Sequence, residues 1–264
     1  MPYFMGGPRI AAPDLYSIVE VPGLPGVNNI SGRSRVDVTA GNGIAVIVTI
    51  GQSDFANYVG TGPYTPTHST VCNFNVYDER SYQCVDDVLG ASTFGGRGSI
   101  NGRIGDDLIT NGKCSTPVIA PISIAGTAAA DWAAGGNCNN RIVVLCRRLF
   151  NAKLWPVTAI AWMVGETDKT IGTSQSAFAA SQASVISTFR NNGCNAPFLV
   201  ALYSGPGQTS NGIRSAQAAA VDNVTVFGGP DIDAITNRLG DGHLDDTGAA
   251  AAATGWATKL GLVF

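Results

Sequence analysis

A serine near the beginning of the chain and a histidine near its end have the residue types for nucleophilic chemistry. Ser53 lies in Gly51-Gln52-Ser53-Asp54, directly after an apolar, β-branched run that ends at Ile50. Such a run predicts a buried central strand, and catalytic groups of open α/β sheets gather outside the carboxyl ends of these strands. Serine is a weak nucleophile unless a base takes its proton. The alternative interpretation is a strand followed by an ordinary polar turn.

The search for the base is short, because the chain has two histidines. His68 lies in a Pro/Thr-rich loop, and no acidic residue is nearer to it in sequence than Asp78. His243 stands at the entrance of a predicted helix and has three acidic neighbours, Asp241, Asp245 and Asp246. A serine–histidine pair needs a carboxylate that orients the imidazole. His243 is therefore the predicted base, although a lone histidine near a helix start is more often structural or exposed.

Strand-like and helix-like segments alternate along the chain. The predicted strands are 45–50, 117–125, 157–164, 197–203 and 224–227. The predicted helices begin near 100 (stopping at 111–112) and cover 140–151, 174–190, 213–221 and 246–260. The long polar region 58–98 is predicted as ordered loops. Because the strands are apolar on both faces, we expect an α/β fold: a three-layer α/β/α sandwich with a central parallel sheet.

Three of these strands end in loops that are unusual in composition. Ser53 follows the first, Gly126 the second, and Gly165-Glu166 the third. Strand ends of a parallel sheet lie at one edge, so these loops can share one cleft.

Bulk composition limits the classes of function. The chain has 264 residues, 45% of them hydrophobic and only 13% charged, with a net charge of −3. We predict a Pro/Gly-rich strap or linker over residues 1–40, which is also a candidate junction to another module, and one domain over 41–264. No basic run indicates nucleic-acid binding, and no apolar run is long enough for a membrane span. No signal peptide is visible at the amino terminus.

The six cysteines contain no C-x-x-C pair, so neither their spacing nor the two histidines suit a zinc site. Buried free thiols are the simplest interpretation, and a bridge between Cys72 and Cys84 is a second one. Low charge, many small polar residues and an even number of cysteines favour an extracytoplasmic location.

Four blocks resemble a known family when they are taken in order. They are GQSD at 51–54, IAGTAAADW at 124–132, WMVGETD at 162–168 and DGHLDDTG at 241–248. They resemble SGNH-type hydrolases of flavodoxin-like fold, in the sialate O-acetylesterase-like and acetylxylan-esterase-like branch. Members of that branch carry GQSN, then GGTS followed by a tryptophan, then W-x-QGE-x-D, then D-x-x-H with a glycine five residues later.

The resemblance implies a role for each matching residue. Ser53 is the implied nucleophile, His243 the general base and Asp241 the orienting acid. The backbone amides of Ser53 and Gly126 are the implied oxyanion donors. The residues implied to shape the cleft are Gln52, Asp54, Asn57, Val164, Glu166, Asp168 and Trp132. The implied chemistry is attack on an ester and hydrolysis of an acyl-enzyme, with no metal and no cofactor.

Four departures from the family pattern bear on that chemistry. Asp54 replaces an asparagine, and its charge would oppose the oxyanion if it pointed inward. Ala125 replaces the first glycine of GGTS. Val164 replaces a glutamine that donates to the oxyanion, a loss worth roughly 3 kcal/mol. Asp241 is two positions before His243 instead of three, so Asp245 or Asp233 is an alternative orienting carboxylate.

The expected function is a serine esterase that removes O-acetyl or similar small acyl groups from a glycan. The alternative is a catalytically weakened carbohydrate-binding or structural module of a cell-surface or virus-particle assembly. A third possibility is a lipase- or peptidase-type hydrolase on the same fold.

Overall fold

In the computed structural model, the described residues are 17–207 and 209–264. The strands in those ranges are β1 (Arg35–Val36), β2 (Ile44–Gly51), β3 (Cys72–Asn75), β4 (Arg80–Gln83), β5 (Thr116–Pro121), β6 (Ala159–Met163), β7 (Phe198–Leu202) and β8 (Val226–Asp231). The α-helices in those ranges are α1 (Asn101–Thr110), α2 (Ala129–Trp132), α3 (Asn139–Asn151), α4 (Glu166–Thr170), α5 (Gln175–Asn191), α6 (Asn211–Ala219) and α7 (Asp246–Leu260). A short 3₁₀ turn, Ser53–Phe55, follows β2.

The eight strands form one sheet in the order β1-β4-β3-β5-β2-β6-β7-β8. The neighbours from β3 to β8 pair in parallel, whereas β4 is antiparallel to both β1 and β3. The order β5-β2-β6-β7-β8 is that of a flavodoxin-like sheet, and β2 is an interior strand between β5 and β6. The predicted α/β fold is confirmed, and the sheet becomes mixed at one edge.

Both faces of β2 are apolar, because helices cover both sides of the sheet. Val46, Val48 and Ile50 belong to a core that includes side chains of α3, α5 and α6. Ala45 and Ile47 on the opposite face pack with α1 and α7. This arrangement gives the predicted three layers.

The predicted strand and helix segments of the alternating pattern are present, with boundaries that shift by a few residues. The main differences are at the β4 edge and after β5. Region 58–98 contains β3 and β4, which are four residues each and too short to give a periodic signal. The strand predicted over 117–125 ends at Pro121, and the chain then continues as loop to Gly126.

The described part of the strap packs against the domain. The fully buried guanidinium of Arg141 pairs with Glu20 at 3.2 Å. The Val27 amide donates to Ala91 O at 2.8 Å, and β1 adds a strand beside β4. Residues 1–16 of the predicted strap lie outside the described residues. A boundary at residue 40 remains a prediction.

The six cysteines are all free, so the interpretation of a Cys72–Cys84 bridge is wrong. Cys72 on β3 pairs in register with Gln83, and Cys84 is the next residue along. Successive side chains of a strand point to opposite faces, and the two thiols accordingly lie in different apolar clusters. Burial raises the pKa of Cys72 to about 11. No helix in the described ranges combines the length and the apolarity that a membrane crossing requires.

Candidate active site

Ser53 lies at the carboxyl end of the central strand β2, where the chain enters the 3₁₀ turn. Its side chain is at the wall of a cavity of about 320 Å³. The residues that line this cavity are Gln52, Ser53, Tyr58, Ala125, Gly126, Glu166, Thr167, Thr170 and His243. They come from the ends of β2, β5 and β6 and from the loop before α7. The three strand-end loops predicted to share a cleft therefore do so, although Ser53 itself is only 5% exposed.

Cavities of about 570 and 400 Å³ lie elsewhere, around Trp155. They are larger, but no predicted site residue lines them. Volume alone does not identify a site, so the convergence of ionisable and nucleophilic groups is the better criterion.

His243 lies in the loop between β8 and α7, and its imidazole contacts a carboxylate. The Nδ1 atom is 3.2 Å from Asp241 Oδ1, and the other carboxylate oxygen of Asp241 lies 2.8 Å from Arg97 Nη1. Burial acts to raise the pKa of Asp241, but hydrogen bonds from Arg97 and His243 outweigh it and bring the pKa below its usual value. Asp241 is thus ionised near neutral pH and can orient the ring.

The alternative carboxylates are engaged elsewhere. Asp245 accepts a hydrogen bond from the Gly248 amide at 2.8 Å and caps α7. Asp233 accepts from the Ser204 amide at 2.9 Å and pairs with Arg214 at 2.9 Å. Of the three candidates, Asp241 is the one in contact with the imidazole.

Ser53 and His243 line the same cavity without a direct hydrogen bond between them. In the described part of the chain, neither the Ser53 hydroxyl nor His243 Nε2 has a hydrogen-bond partner. Catalytic hydrogen bonds are often long in ligand-free enzymes and shorten when substrate binds. Both groups are therefore available to a substrate.

Gly126 is at the tip of the loop after β5. Its φ of +71° lies in the left-handed region, and a Cβ at this position would meet no atom within 4 Å. Glycine is favoured here because of the left-handed backbone conformation, since there is enough space for a side chain. No turn or loop hydrogen bond in the described residues uses the amide of Gly126 or of Ser53 as a donor. Both amides are thus left without a turn or loop acceptor beside the cavity in the described residues.

Gln52 and Glu166 are joined on the cavity wall. Gln52 Nε2 donates to Glu166 Oε2 at 2.9 Å, and the Gly165 amide donates to Gln52 Oε1 at 3.2 Å. The Tyr203 hydroxyl lies 2.9 Å from Glu166. With its amide occupied in this way, Gln52 fixes the start of α4 against the end of β2.

Asp54 is buried and does not line the cavity. Its carboxylate is 3.3 Å from Arg238 Nη1 and 3.1 Å from the Tyr203 hydroxyl. The negative charge expected beside the oxyanion is consequently paired with a guanidinium in the interior. Burial, followed by the charges of Asp54 and Glu166, raises the pKa of Tyr203 well above its usual value, so the phenol is neutral.

The remaining predicted cleft residues lie behind the cavity wall. Val164 is fully buried in the core. Trp132 Nε1 donates to Thr127 at 2.9 Å, and Asp168 accepts from the Ala129 amide at 2.9 Å. Asn57 accepts from the Val88 amide at 2.7 Å. Trp132 and Asp168 therefore support the loop that carries Gly126, without contacting the cavity.

Three residues near the site were not predicted from the sequence. Tyr203 directly follows β7, so the rule that places site groups at strand ends could have identified it. Arg97 and Arg238 gave no sequence signal, because their contacts join segments that are distant along the chain. No cluster of three or more His, Cys, Asp or Glu side chains that could hold a metal occurs in the described ranges.

This chain is similar to known proteins in structure and not in sequence. No protein-family model and no curated protein sequence matches the chain. A protein from Arabidopsis thaliana superposes with a TM-score of 0.63 at 14% identity, over 83% of this chain and 98% of its own. Est24, a carbohydrate acetylesterase from Sinorhizobium meliloti, gives 0.53 at 12% identity, over 83% and 100%. The inhibitor-bound aryl esterase of M. smegmatis gives 0.51 at 10% identity, over 83% and 100%.

The fold of this chain is therefore one that known esterases also have. The resemblance to SGNH-type hydrolases is confirmed at the level of fold, and identities of this size carry no more than that.

Proposed function

We propose that this protein is a serine esterase that removes acetyl or similarly small acyl groups from a carbohydrate. The observation that carries the proposal is that Ser53 and the His243–Asp241 pair meet at one cavity, at the carboxyl edge of the sheet. Est24, which shares the fold, is a carbohydrate acetylesterase, and this similarity indicates the class of substrate.

In the proposed reaction, the Ser53 hydroxyl attacks the ester carbonyl and His243 Nε2 takes its proton. Asp241 holds the proton on Nδ1, which leaves Nε2 free to act as the base. The amides of Ser53 and Gly126 stabilise the oxyanion. The tetrahedral intermediate collapses, the imidazolium protonates the leaving sugar hydroxyl, and a water activated by His243 hydrolyses the acyl-enzyme.

The cavity favours a small acyl group and a sugar leaving group. A volume of about 320 Å³ is at the lower end of ligand-binding pockets, which span roughly 300–1,000 Å³. Beside it, Tyr58 lies 5.6 Å from the His243 ring, and Phe94 lies 5.8 Å from Tyr58 and is 60% exposed. An exposed aromatic ring at the rim suits stacking against the apolar face of a sugar. An extracytoplasmic location is part of this proposal.

A series of p-nitrophenyl esters and an acetylated polysaccharide test this function. We expect acetate to be cleaved at least about tenfold faster than octanoate in kcat/KM, because a long acyl chain exceeds the cavity. We also expect release of acetate from acetylated xylan or an O-acetylated sialoside. A preference for octanoate would support the lipase-type alternative. If the protein cleaves none of these esters, the proposal is contradicted.

Two observations favour the alternative of a weakened carbohydrate-binding module. Val164 supplies no side-chain donor, which leaves the amides of Ser53 and Gly126 as the proposed oxyanion donors, and Ser53 makes no hydrogen bond to His243. Calorimetric titration with acetylated sugars distinguishes the two functions. Tight binding with no release of acetate indicates a binding module, whereas turnover indicates the esterase.

A further inference from the structure

The interior next to the cavity contains an ion pair that the reaction steps above do not use. Asp54 is 1% exposed, and the side chain of Arg238 is 9% exposed. Their Oδ2 and Nη1 atoms are 3.3 Å apart, although the residues lie at opposite ends of the domain in sequence. Burying charges costs free energy unless they are paired and hydrogen-bonded. The other hydrogen bonds of Asp54 and Arg238 therefore indicate which part of the main chain the pair holds in place.

Arg238 binds the main chain of the loop between β8 and α7 at three points. Its Nη1 donates to Gly242 O at 2.9 Å, its Nη2 to Ile232 O at 3.0 Å, and its Nε to Ile235 O at 3.1 Å. One guanidinium therefore ties the beginning of this loop to the residue that precedes His243. A lysine has no planar fork of donors and could not make the same set of contacts.

Asp54 binds the residue on the other side of His243. The Leu244 amide donates to Asp54 Oδ1 at 3.3 Å. The backbone carbonyl oxygen of Gly242 is thus held by Asp54 through Arg238, and the amide of Leu244 is held by Asp54 directly. The Tyr203 hydroxyl, 3.1 Å from Asp54 Oδ2, further restrains the carboxylate.

We propose that Asp54 and Arg238 are a positioning pair that fixes the main chain on both sides of His243 relative to Ser53. The inference rests on the proposed esterase function and deepens it. Neither side chain lines the cavity, so both act through His243 and not on the substrate. The pairing also accounts for an aspartate where the related hydrolases carry asparagine, since Arg238 cancels the charge that would otherwise oppose the oxyanion.

The variants Arg238→Met and Asp54→Asn test the pair in the full-length protein. We expect kcat for p-nitrophenyl acetate to fall about 10- to 100-fold in each, with KM changed less than about threefold. A misplaced base reduces the stabilisation of the transition state and leaves substrate binding largely unchanged. Arg103→Met is the matched control. Arg103 pairs with Asp246 at 3.0 Å near the same end of α7 but contacts neither Asp54 nor a neighbour of His243, so we expect kcat to stay within about twofold.

The pH profile of kcat separates positioning from a general loss of stability. The charged groups around the imidazole are Asp241 and Arg97 in contact with it, Asp54 and Arg238 behind it, and Glu166 across the cavity. Arg238→Met leaves an unpaired carboxylate, which favours the imidazolium and moves the acidic limb to higher pH. Asp54→Asn leaves an unpaired guanidinium and moves the limb to lower pH. The double variant has neither charge, so its limb should return close to the parent position while kcat remains low.

Amide hydrogen exchange over residues 239–244 provides a readout that does not depend on activity. We expect faster exchange in this segment for Arg238→Met and not for Arg103→Met, with circular dichroism confirming that both variants fold. If Arg238→Met does not fold, Asp54→Asn carries the same test. An active parent whose variants keep its kcat and pH profile would overturn the positioning role alone. If the parent protein hydrolyses no ester, the proposed function is overturned as well, and this result comes from the parent protein alone.

Discussion

Replacing His243 with alanine should lower kcat for p-nitrophenyl acetate by about 10³-fold or more. The expectation follows from the contact between His243 and Asp241 and from the absence of a second histidine at the cavity. Without the imidazole, the Ser53 hydroxyl has no group to take its proton, and the leaving alcohol has none to supply it. KM should change little, because the ring acts on the transition state. Steady-state kinetics on purified protein measures both parameters.

His68→Ala is the matched control, because His68 is the other histidine of the chain. His68 lies in the loop before β3, where its Nδ1 is 2.9 Å from Oδ1 of Asp106 on α1, and it does not line the cavity. We expect this variant to keep kcat within about twofold and to lose at most about 1.5 kcal/mol of the free energy of unfolding. Equal activity of His243→Ala and His68→Ala would contradict the assignment of the base.

Gly165→Ala should destabilise the protein by more than about 3 kcal/mol, because the change introduces both backbone strain and a collision. The φ of Gly165 is +154°, which side chains rarely adopt, and a Cβ would lie 2.0 Å from the backbone oxygen of Tyr203. The chain turns here from β6 into α4, pressed against the end of β7. To relieve this collision, the ends of β6 and β7 would have to separate, and the hydrogen bond between Tyr203 and Glu166 would be lost. Urea unfolding followed by tryptophan fluorescence measures the loss.

Gly212→Ala provides the comparison within the same protein. Gly212 lies in the first turn of α6, and a Cβ there would be 3.5 Å from the nearest side-chain atom, an ordinary contact. Alanine favours the helix over glycine by about 0.5–1 kcal/mol, so this variant should be as stable as the parent or slightly more so. If Gly165→Ala unfolds at the same urea concentration as Gly212→Ala, the close approach of the strand ends is not as described.

The buried strands were predictable because the signal for each lies in the hydrophobicity of its own residues. β2, β6 and β7 are continuous apolar runs, and a run of this kind is typical of a parallel strand that helices cover on both faces. β3 and β4 could not be found in the same way. Each is four residues long and mixes polar with apolar positions. Their stability comes from pairing, because β3 lies between β4 and β5, and β4 lies between β3 and β1. Tertiary context decides such elements, and no period in the sequence marks them.

The candidate site was predictable to the extent that strand ends and rare residues point to it. With two histidines in the chain, there were few candidates for the proposed base, and the carboxyl ends of β2, β5 and β6 located the cavity. The buried partners could not be found, because Arg238 reaches Asp54 and Arg97 reaches Asp241 from distant segments. The asparagine-to-aspartate departure at position 54 suggested an unfavourable charge, and only the folded chain reveals the compensating guanidinium.

Covalent labelling with a p-nitrophenyl alkylphosphonate tests the central claim most directly, because the reagent traps an activated serine as a stable adduct. After labelling, trypsin digestion and fragmentation by mass spectrometry locate the modified side chain within the peptide of residues 36–80. We predict one phosphonyl group, on Ser53, with labelling abolished in Ser53→Ala and strongly slowed in His243→Ala. Labelling of a different residue, or undiminished ester hydrolysis by Ser53→Ala, would contradict the account.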